Sequence, residues 1–376
     1  MAKRNNIFFF VVIVFLCWAC GQETTKQDKN TQNEKKLIYT KCFKIYDFEN
    51  YQLIKILNQK QIIGQYVLYK KEKPELNINN AIFIKIPITK IAALSSIYIG
   101  FLNQLNELKN INAIDNSNYI FNQYILEKVK QNNIKEIAIN GQINDELTIH
   151  LKPDVVFTYF DQANGNSKNQ KLTKAEIPVV SLIDHLEDHP LGRAEWIKFF
   201  ACFFNQEKLA DSLFSATEKK YNALKQLAAT SKIKPKVLTE HKLNDAWYVP
   251  GGKSYMAALL QDANTNYIWR NDEHTGSLPL SFEEVYTKAI NADYWLNVLF
   301  CNSKADLIKL DNRYKNFFAF EKNQIFNNNL LVSDIGANDY WETGLTQPDL
   351  ILNDIISIVH PELKSNKQLR FYQQLK

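Results

Sequence analysis

The sequence is poor in the patterns on which catalysis usually rests. Neither Gly-x-Ser-x-Gly nor His-Glu-x-x-His occurs, which removes the nucleophile elbow and the zinc-protease helix. The six histidines are scattered, and no nucleophile–base pair can be assembled from them. Glycine is scarce, 11 in 376 residues. Gly251-Gly252-Lys253-Ser254 has the tail of a phosphate loop, but that loop needs a glycine where Trp247 stands. An enzyme is therefore not expected, nor any cofactor. Of five cysteines, Cys42, Cys202 and Cys301 lie beyond the N-terminal segment, odd in number and widely spaced. They read as buried thiols rather than a disulfide framework. A formal charge of +5 is too mild to argue for nucleic acid.

What is present begins at the N-terminus. Lys3 and Arg4 precede an apolar run, Ile7 to Leu16, that is too short to span a bilayer as a helix. Ala19-Cys20 follows, as at a bacterial lipoprotein cleavage site, although Cys17 stands where leucine is usual and Leu16 lies one step earlier. The expectation is a signal peptide over 1–19, lipidation of Cys20, and a flexible polar tether over 20–36. The alternative, a short uncleaved anchor, also exports the globular part. Cleavage would remove Lys3 and Arg4 and leave a charge of +3.

The stretch from Glu207 to Ala229 contains no Gly or Pro. Leu209, Leu213, Phe214, Tyr221, Leu224 and Leu227 recur there at helical spacing. About 24 residues of helix reach roughly 36 Å, longer than one small domain needs. On either side lie α/β segments of similar size. Strands are expected at Ile91–Ser96, Lys135–Gly141, Lys152–Tyr159 and Ile177–Leu182 before the helix. After it they are expected at Lys236–Glu240, Ala292–Asn297 and Leu330–Asp334. Helices are expected near Tyr119–Gln131, Asn144, Ser254–Ala263, Ser281–Ile290 and Gln347–His360. This alternation argues α/β, two lobes each with a mostly parallel central sheet, joined by one long helix. The divisions are a β-rich extension over 37–80 (including strands at Leu37–Thr40 and Gln61–Tyr69), an N-terminal lobe over 81–190, a linking segment over 191–230 and a C-terminal lobe over 231–376.

Ligands in such sheets sit at the carboxyl ends of strands. Those ends carry Ser95, Ser96, Asn140, Tyr159 and Asp161 in the first lobe, and Glu240, Asp334 and Asn338–Trp341 in the second. A weak repeat relates the lobes. Asn144-Asp-Glu before Asp154-Val-Val-Phe parallels Ser281-Phe-Glu-Glu before Asp293-Tyr-Trp-Leu. Ser281 and Glu284 form a capping box, which leaves Glu146 and Glu283 free at equivalent points near two helix starts.

The motifs that bear on identity are Ile91-Ala-Ala-Leu-Ser-Ser, Lys152-Pro-Asp-Val-Val, Pro190-Leu-Gly-Arg-Ala-Glu-Trp-Ile-Lys-Phe-Phe, Trp247-Tyr-Val-Pro-Gly-Gly-Lys-Ser-Tyr-Met, Thr275-Gly-Ser-Leu-Pro-Leu-Ser-Phe-Glu and Asn338-Asp-Tyr-Trp-Glu. Through them the chain, over about residues 81–363, resembles the class III (cluster A) substrate-binding proteins of ABC importers, which bind iron–siderophores, haem or vitamin B12. The resemblance implies a lobe–helix–lobe fold and one surface glutamate per lobe, Glu146 and Glu283, docking onto permease arginines. It also implies an interlobe cleft with Trp247, Tyr248, Tyr255, Tyr340 and Trp341 facing Ser95, Ser96 and Tyr159, about half of these aromatics being core. Asp339 and Glu342 read either as polar cleft groups or as turn residues.

A ferric siderophore or similar metal chelate is the first choice of ligand, with vitamin B12 (a corrinoid) or haem as the alternative. A strongly basic cleft would favour anionic ferric siderophores. The expected partners are that chelate, the permease subunits and, through the lipid anchor, a cell-envelope membrane, with the receptor acting as a monomer outside the cytoplasm. Direct Zn or Mn binding is a second alternative, because His185-Leu-Glu-Asp-His189 offers two imidazoles and two acids. No further histidine stands at the strand ends to complete a four-ligand site. A purely structural surface lipoprotein is the third class, which would show no ligand-dependent tryptophan quenching.

Overall fold

The computed structural model describes residues 33–139, 142–160, 170–363 and 368–376. Cys20, the 1–19 leader, the tether up to residue 32, Asn140, Gly141 and Asp161 lie outside the described residues.

The chain opens with a five-stranded sheet: β1 (Asn33–Glu34), β2 (Phe43–Asp47), β3 (Tyr51–Asn58), β4 (Gln61–Tyr69) and β5 (Ala81–Lys85), hydrogen-bonded in that order. The first four are antiparallel and β5 runs parallel to β4, so this extension ends five residues past the boundary expected at residue 80. Leu37–Thr40 is not a strand. Its backbone instead wraps the fully buried carboxylate of Glu195, which accepts from the N–H groups of Ile38, Tyr39 and Thr40 at 3.1, 2.9 and 3.1 Å. The extension is bolted to the first lobe by Phe43 against Trp196 (ring centroids 4.7 Å) and by the Tyr66 hydroxyl accepting from the Ser181 N–H at 3.0 Å.

The first lobe contains β6 (Ile91–Ala93), α1 (Ser96–Gln104), β7 (Ile111–Ile114), α2 (Gln123–Lys130), β8 (Lys135–Glu136), a small pair β9 (Ala138–Ile139) and β10 (Gln142–Ile143), α3 (Asp145–Leu151), β11 (Val155–Tyr159), α4 (Gln170–Lys174) and β12 (Val179–Leu182). Its sheet runs β12-β11-β6-β7-β8, all parallel. Buried on both faces, its strands are apolar throughout, as in Val155-Val-Phe and Ile91-Ala-Ala. Then come α5 (Pro190–Ala194), α6 (Trp196–Cys202) and the long α7, which spans Glu207–Ala229 as the sequence periodicity predicts. Its buried stripe is Ala210, Phe214, Tyr221 and Ala228, with Leu213 and Leu224 partly buried. Leu209, assigned to that stripe from spacing, faces solvent, since the seam is set by the small Ala210 one position on.

The second lobe follows with β13 (Lys236–Thr239), β14 (Lys242–Leu243), β15 (Ala246–Pro250), α8 (Tyr255–Asp262), β16 (Asn266–Tyr267), β17 (Ser277–Leu280), α9 (Phe282–Ala289), β18 (Tyr294–Leu296), α10 (Lys304–Leu310), α11 (Phe318–Glu321), β19 (Ile325–Asn327), α12 (Asp339–Glu342), α13 (Pro348–Val359) and β20 (Gln373–Gln374). Its main sheet runs β16-β13-β18-β19-β20, parallel except for β20, and β14-β15-β17 form a side sheet. Leu330–Asp334, expected as a strand, is a loop held by one bridge between Val332 and Asn338. In each lobe the helix carrying the repeat motif precedes the strand that pairs with that sheet's first strand: α3 before β11 on β6, and α9 before β18 on β13.

The linking helix is not the sole tie. Tyr221 on α7 donates to Asp262 on α8 at 2.7 Å, and α7 also packs along α13. Nearer the cleft, α1 of the first lobe crosses α12 of the second. A Cβ placed on Gly100 would lie 2.3 Å from the Glu342 carbonyl oxygen. Only a residue without a side chain lets the two backbones approach so closely. The Glu342 carboxylate accepts from the N–H groups of Phe121 (2.8 Å) and Asn122 (3.3 Å), and Gln104 donates to Thr346 at 2.8 Å. The lobes are latched beneath the groove that separates their strand ends.

Candidate ligand-binding cleft

Parallel sheets expose the carboxyl ends of their strands where the lobes face one another, and a cavity of about 740 Å³ opens there. From the first lobe it is walled by Leu94, Ser95 and Ser96 after β6, by Asp115, Asn118 and Tyr119 after β7, and by Tyr159 at the end of β11. From the second lobe come Glu240 after β13, the loop Asn297–Asn302 after β18, Asn328 and Asn329 after β19, and Asn338 and Trp341 around α12. The ring of aromatics is unusually exposed for side chains of this size: Tyr119 65%, Tyr159 48%, Phe300 83% and Trp341 50%.

The second-lobe wall is stiff. Glu240, Asn297 and Leu299 all have positive φ, at 60°, 57° and 50°. For the leucine this is a strained conformation that surrounding contacts must hold. Asn327 holds it: its side-chain amide donates to the carbonyls of Leu299 and Cys301 at 2.7 and 2.9 Å. Asn297 accepts from the Tyr372 hydroxyl at 2.7 Å. The reversal through Leu299 turns Phe300 out toward the cleft while Val298 and Cys301 stay in the core.

Electrostatically the cleft is acidic. Among the described residues its lining carries two carboxyl groups, Asp115 and Glu240, and no Lys, Arg or His. Burial pushes Asp115 up, and pushes Glu240 up to about 8, with no hydrogen bond or counter-charge among the described residues opposing the shift.

Of the eight residues expected to bind ligand, Ser95, Ser96, Tyr159 and Trp341 line this cavity and Trp247, Tyr248, Tyr255 and Tyr340 do not. Trp247 is fully buried beneath the second sheet, stacked on Trp295 at 5.6 Å, with its indole N–H on the Thr239 carbonyl at 3.0 Å. Strand alternation turns Tyr248 the other way, to solvent on the side sheet, across from Pro279. Tyr340 packs edge-on against Phe371 and Tyr372. Tyr255 lies under the guanidinium of Arg193, 5.7 Å from its ring. Asp339 and Glu342 are buried structural acids, the first facing Arg370 and the second latching the lobes. Asp334 is an exposed loop residue outside the cavity lining.

The sequence reasoning missed Asp115, Asn118, Tyr119 and Phe300. Asp115 and Asn118 do follow a strand, at its carboxyl end. Phe300 carries no such signal, since Asn297-Val-Leu-Phe-Cys reads as buried sheet. The His185–His189 segment is occupied structurally. His189 caps α5, its Nδ1 accepting from the Leu191 N–H at 3.1 Å, and Glu187 accepts from the Trp196 indole at 2.9 Å and from the Thr40 hydroxyl. No cluster of three or more His, Cys, Asp or Glu arranged for a metal ion occurs among the described residues.

Glu146 and Glu283 occupy the same position on their helices, second after the caps Asn144 and Ser281, and both are exposed. The capping box of Ser281 and Glu284 forms as expected. Glu283 is met by Arg313 at 3.1 Å, itself held by Asp311 at 2.7 Å.

Two parallel-sheet lobes, a linking helix and a cavity between their strand ends make up the two-lobed fold of periplasmic binding proteins. Residues 91–328 match the family described as periplasmic binding protein, and the chain belongs to that family, in its class III form. This is the receptor class of ABC transporters. Curated relatives include an uncharacterized lipoprotein of Methanocaldococcus jannaschii, 28% identical over 77% of this chain and 69% of its own length. A second lipoprotein of that organism is 24% identical over 97% of both chains. Solved structures of similar fold include a periplasmic heme binding protein from Pseudomonas aeruginosa (13% identity, 77% of this chain and 98% of that one, TM-score 0.59). Another is the siderophore binding protein BauB, bound to two acinetobactin molecules and ferric iron (16% identity, 73% of this chain and 93% of that one, TM-score 0.54). At such identities these structures bear on the fold alone.

Proposed function

We propose that the protein is an exported, lipid-anchored receptor that captures a bulky metal chelate of neutral or positive charge and delivers it to an ABC permease, and that a corrinoid is the chelate class that fits. The observation that carries this reading is the cleft lining: exposed aromatic rings, a run of asparagines and two acids, with no basic side chain among the described residues. An anionic ferric siderophore or the propionates of haem would find no basic side chain among the described residues of this lining to pair with. A corrin presents apolar ring faces to aromatic walls and peripheral carboxamides to asparagine side chains. The latch at Gly100 and Glu342 favours a preformed cleft with small lobe motion. A rigid aromatic site loses little conformational entropy on binding.

Glu146 and Glu283 are the proposed docking carboxylates, set at matched helix starts where each can take a bidentate arginine. The anchor is the thioether-linked lipid of Cys20, in keeping with the names of the relatives. The receptor works as a monomer. The test is a tryptophan-fluorescence titration of the purified protein with cyanocobalamin, haemin and an anionic ferric siderophore. The reading requires saturable quenching by the corrinoid. It fails if only an anionic chelate binds.

A further inference from the structure

Glu240 is a carboxylate that nothing in its surroundings explains. It sits at the carboxyl end of β13 with φ of +60°, a conformation costly for a side chain of this kind, and that backbone is itself clamped. Its N–H donates to the Leu296 carbonyl at 3.1 Å, and its own carbonyl accepts from the Trp295 indole at 2.5 Å. The side chain is thereby aimed at the cavity it lines. Around it stand the buried hydroxyl side chains of Tyr267, Tyr340 and Tyr372, and among the described residues no cation acts on it. Glu240 is half-buried, and ionising a carboxyl so placed without a counter-charge is unfavourable unless a ligand supplies the missing positive centre. Asp115 lines the cavity from the other lobe, with no basic side chain among the described residues of that lining, and burial raises it likewise.

We infer that Glu240 determines specificity by binding the metal centre of the chelate at an exchangeable coordination position, its carboxylate oxygen replacing a water on the metal. The metal–water bond breaks and the metal–carboxylate bond forms. The water leaves to solvent, the carboxyl proton is released if present, and no electron moves. The protein thus distinguishes a chelate with an open or water-filled axial site from one whose axial sites are both blocked. Asp115 supplies longer-range attraction for the same positive charge.

This rests on the corrinoid reading, and two probes separate the two ideas. Aquocobalamin carries an exchangeable axial water and a positive charge, whereas cyanocobalamin is neutral and blocked. Equilibrium binding of each to the purified protein is followed by visible absorption and by tryptophan fluorescence. The expected result is that both bind, aquocobalamin tighter by at least about tenfold and with a shift of its visible bands, cyanocobalamin with none. In Glu240→Gln, an isosteric change at a position whose backbone is fixed by other groups, the band shift disappears and the two affinities converge. Equal affinities with no band shift in the unaltered protein would overturn the inference while leaving the corrinoid reading intact, and this comparison needs no variant to fold. Failure of both corrinoids to bind would overturn the reading and the inference together.

Discussion

Gly100 offers the sharpest perturbation of the frame that shapes the cleft. It lies buried in α1 at the crossing with α12, and an added Cβ would stand 2.3 Å from the Glu342 carbonyl oxygen and 3.1 Å from the Thr346 methyl. Ordinary contacts begin near 3.5 Å, so Gly100→Ala must push α1 back by about 1 Å. Overpacking of this kind costs about 1–3 kcal/mol. Replacing glycine by alanine inside a helix returns up to about 1 kcal/mol of propensity. The net expectation is a loss of roughly 1–2 kcal/mol, the steric cost outweighing the propensity gain. Because Ser96 begins α1 and Trp341 sits beside Glu342 on α12, the same displacement widens the cleft and weakens ligand binding. Urea denaturation should show a lower midpoint with an unchanged slope, and fluorescence titration a higher Kd. Gly276→Ala serves as the control, since a Cβ there meets nothing within 4 Å. A Gly100→Ala protein as stable as the parent, with the same affinity, would refute the idea that this crossing fixes the lobes.

Four further outcomes are expected. Glu342→Ala leaves the Phe121 and Asn122 N–H groups without their acceptor and should cost about 1–3 kcal/mol for each donor stranded from water, whereas Glu342→Gln, which keeps an acceptor oxygen, should cost much less in the same melts. Burial also pushes Glu342 up to about 7. The folded state therefore holds a proton that the unfolded chain has lost above the ordinary carboxyl range, so this residue's contribution to stability falls as pH rises toward 7, and the Gln variant flattens that slope in pH-dependent melts. In the empty cleft Glu240 titrates at about 8, among tyrosines that burial keeps neutral and with Asp115 across the cavity. A positive metal centre displaces its proton, so as long as the axial water stays protonated aquocobalamin affinity should rise with pH toward 8, by at most about tenfold per unit, while cyanocobalamin affinity stays flat in the same titration. Reversing charge at Glu146 and Glu283 together should abolish uptake by cells while leaving the Kd of the purified receptor unchanged, and loss of ligand affinity in that variant would remove the docking role.

The fold was legible where local and global signals agree. The linking helix is uninterrupted by Gly or Pro from Glu207 to Ala229 and begins and ends there in the structure. Ser281 and Glu284 announce a helix start that forms with both reciprocal bonds, which is why Glu146 and Glu283 could be paired from sequence. Legibility stops where tertiary partners decide. Leu37-Ile-Tyr-Thr has strand composition, but Glu195, more than 150 residues away, takes its N–H groups. Trp247 and Trp341 both sit among turn residues, and only the stacking of Trp247 on Trp295 assigns one to the core and leaves the other in the cleft. Phe300 is turned outward by two positive-φ residues that no local pattern reveals.

The most direct measurement is the one-site titration of the purified receptor's tryptophan fluorescence with cyanocobalamin, run alongside Trp341→Ala. The cleft described here requires saturable, stoichiometric quenching, with affinity weakened in the variant because Trp341 is the exposed indole on the cavity wall. Absence of binding, or binding indifferent to Trp341, would contradict it.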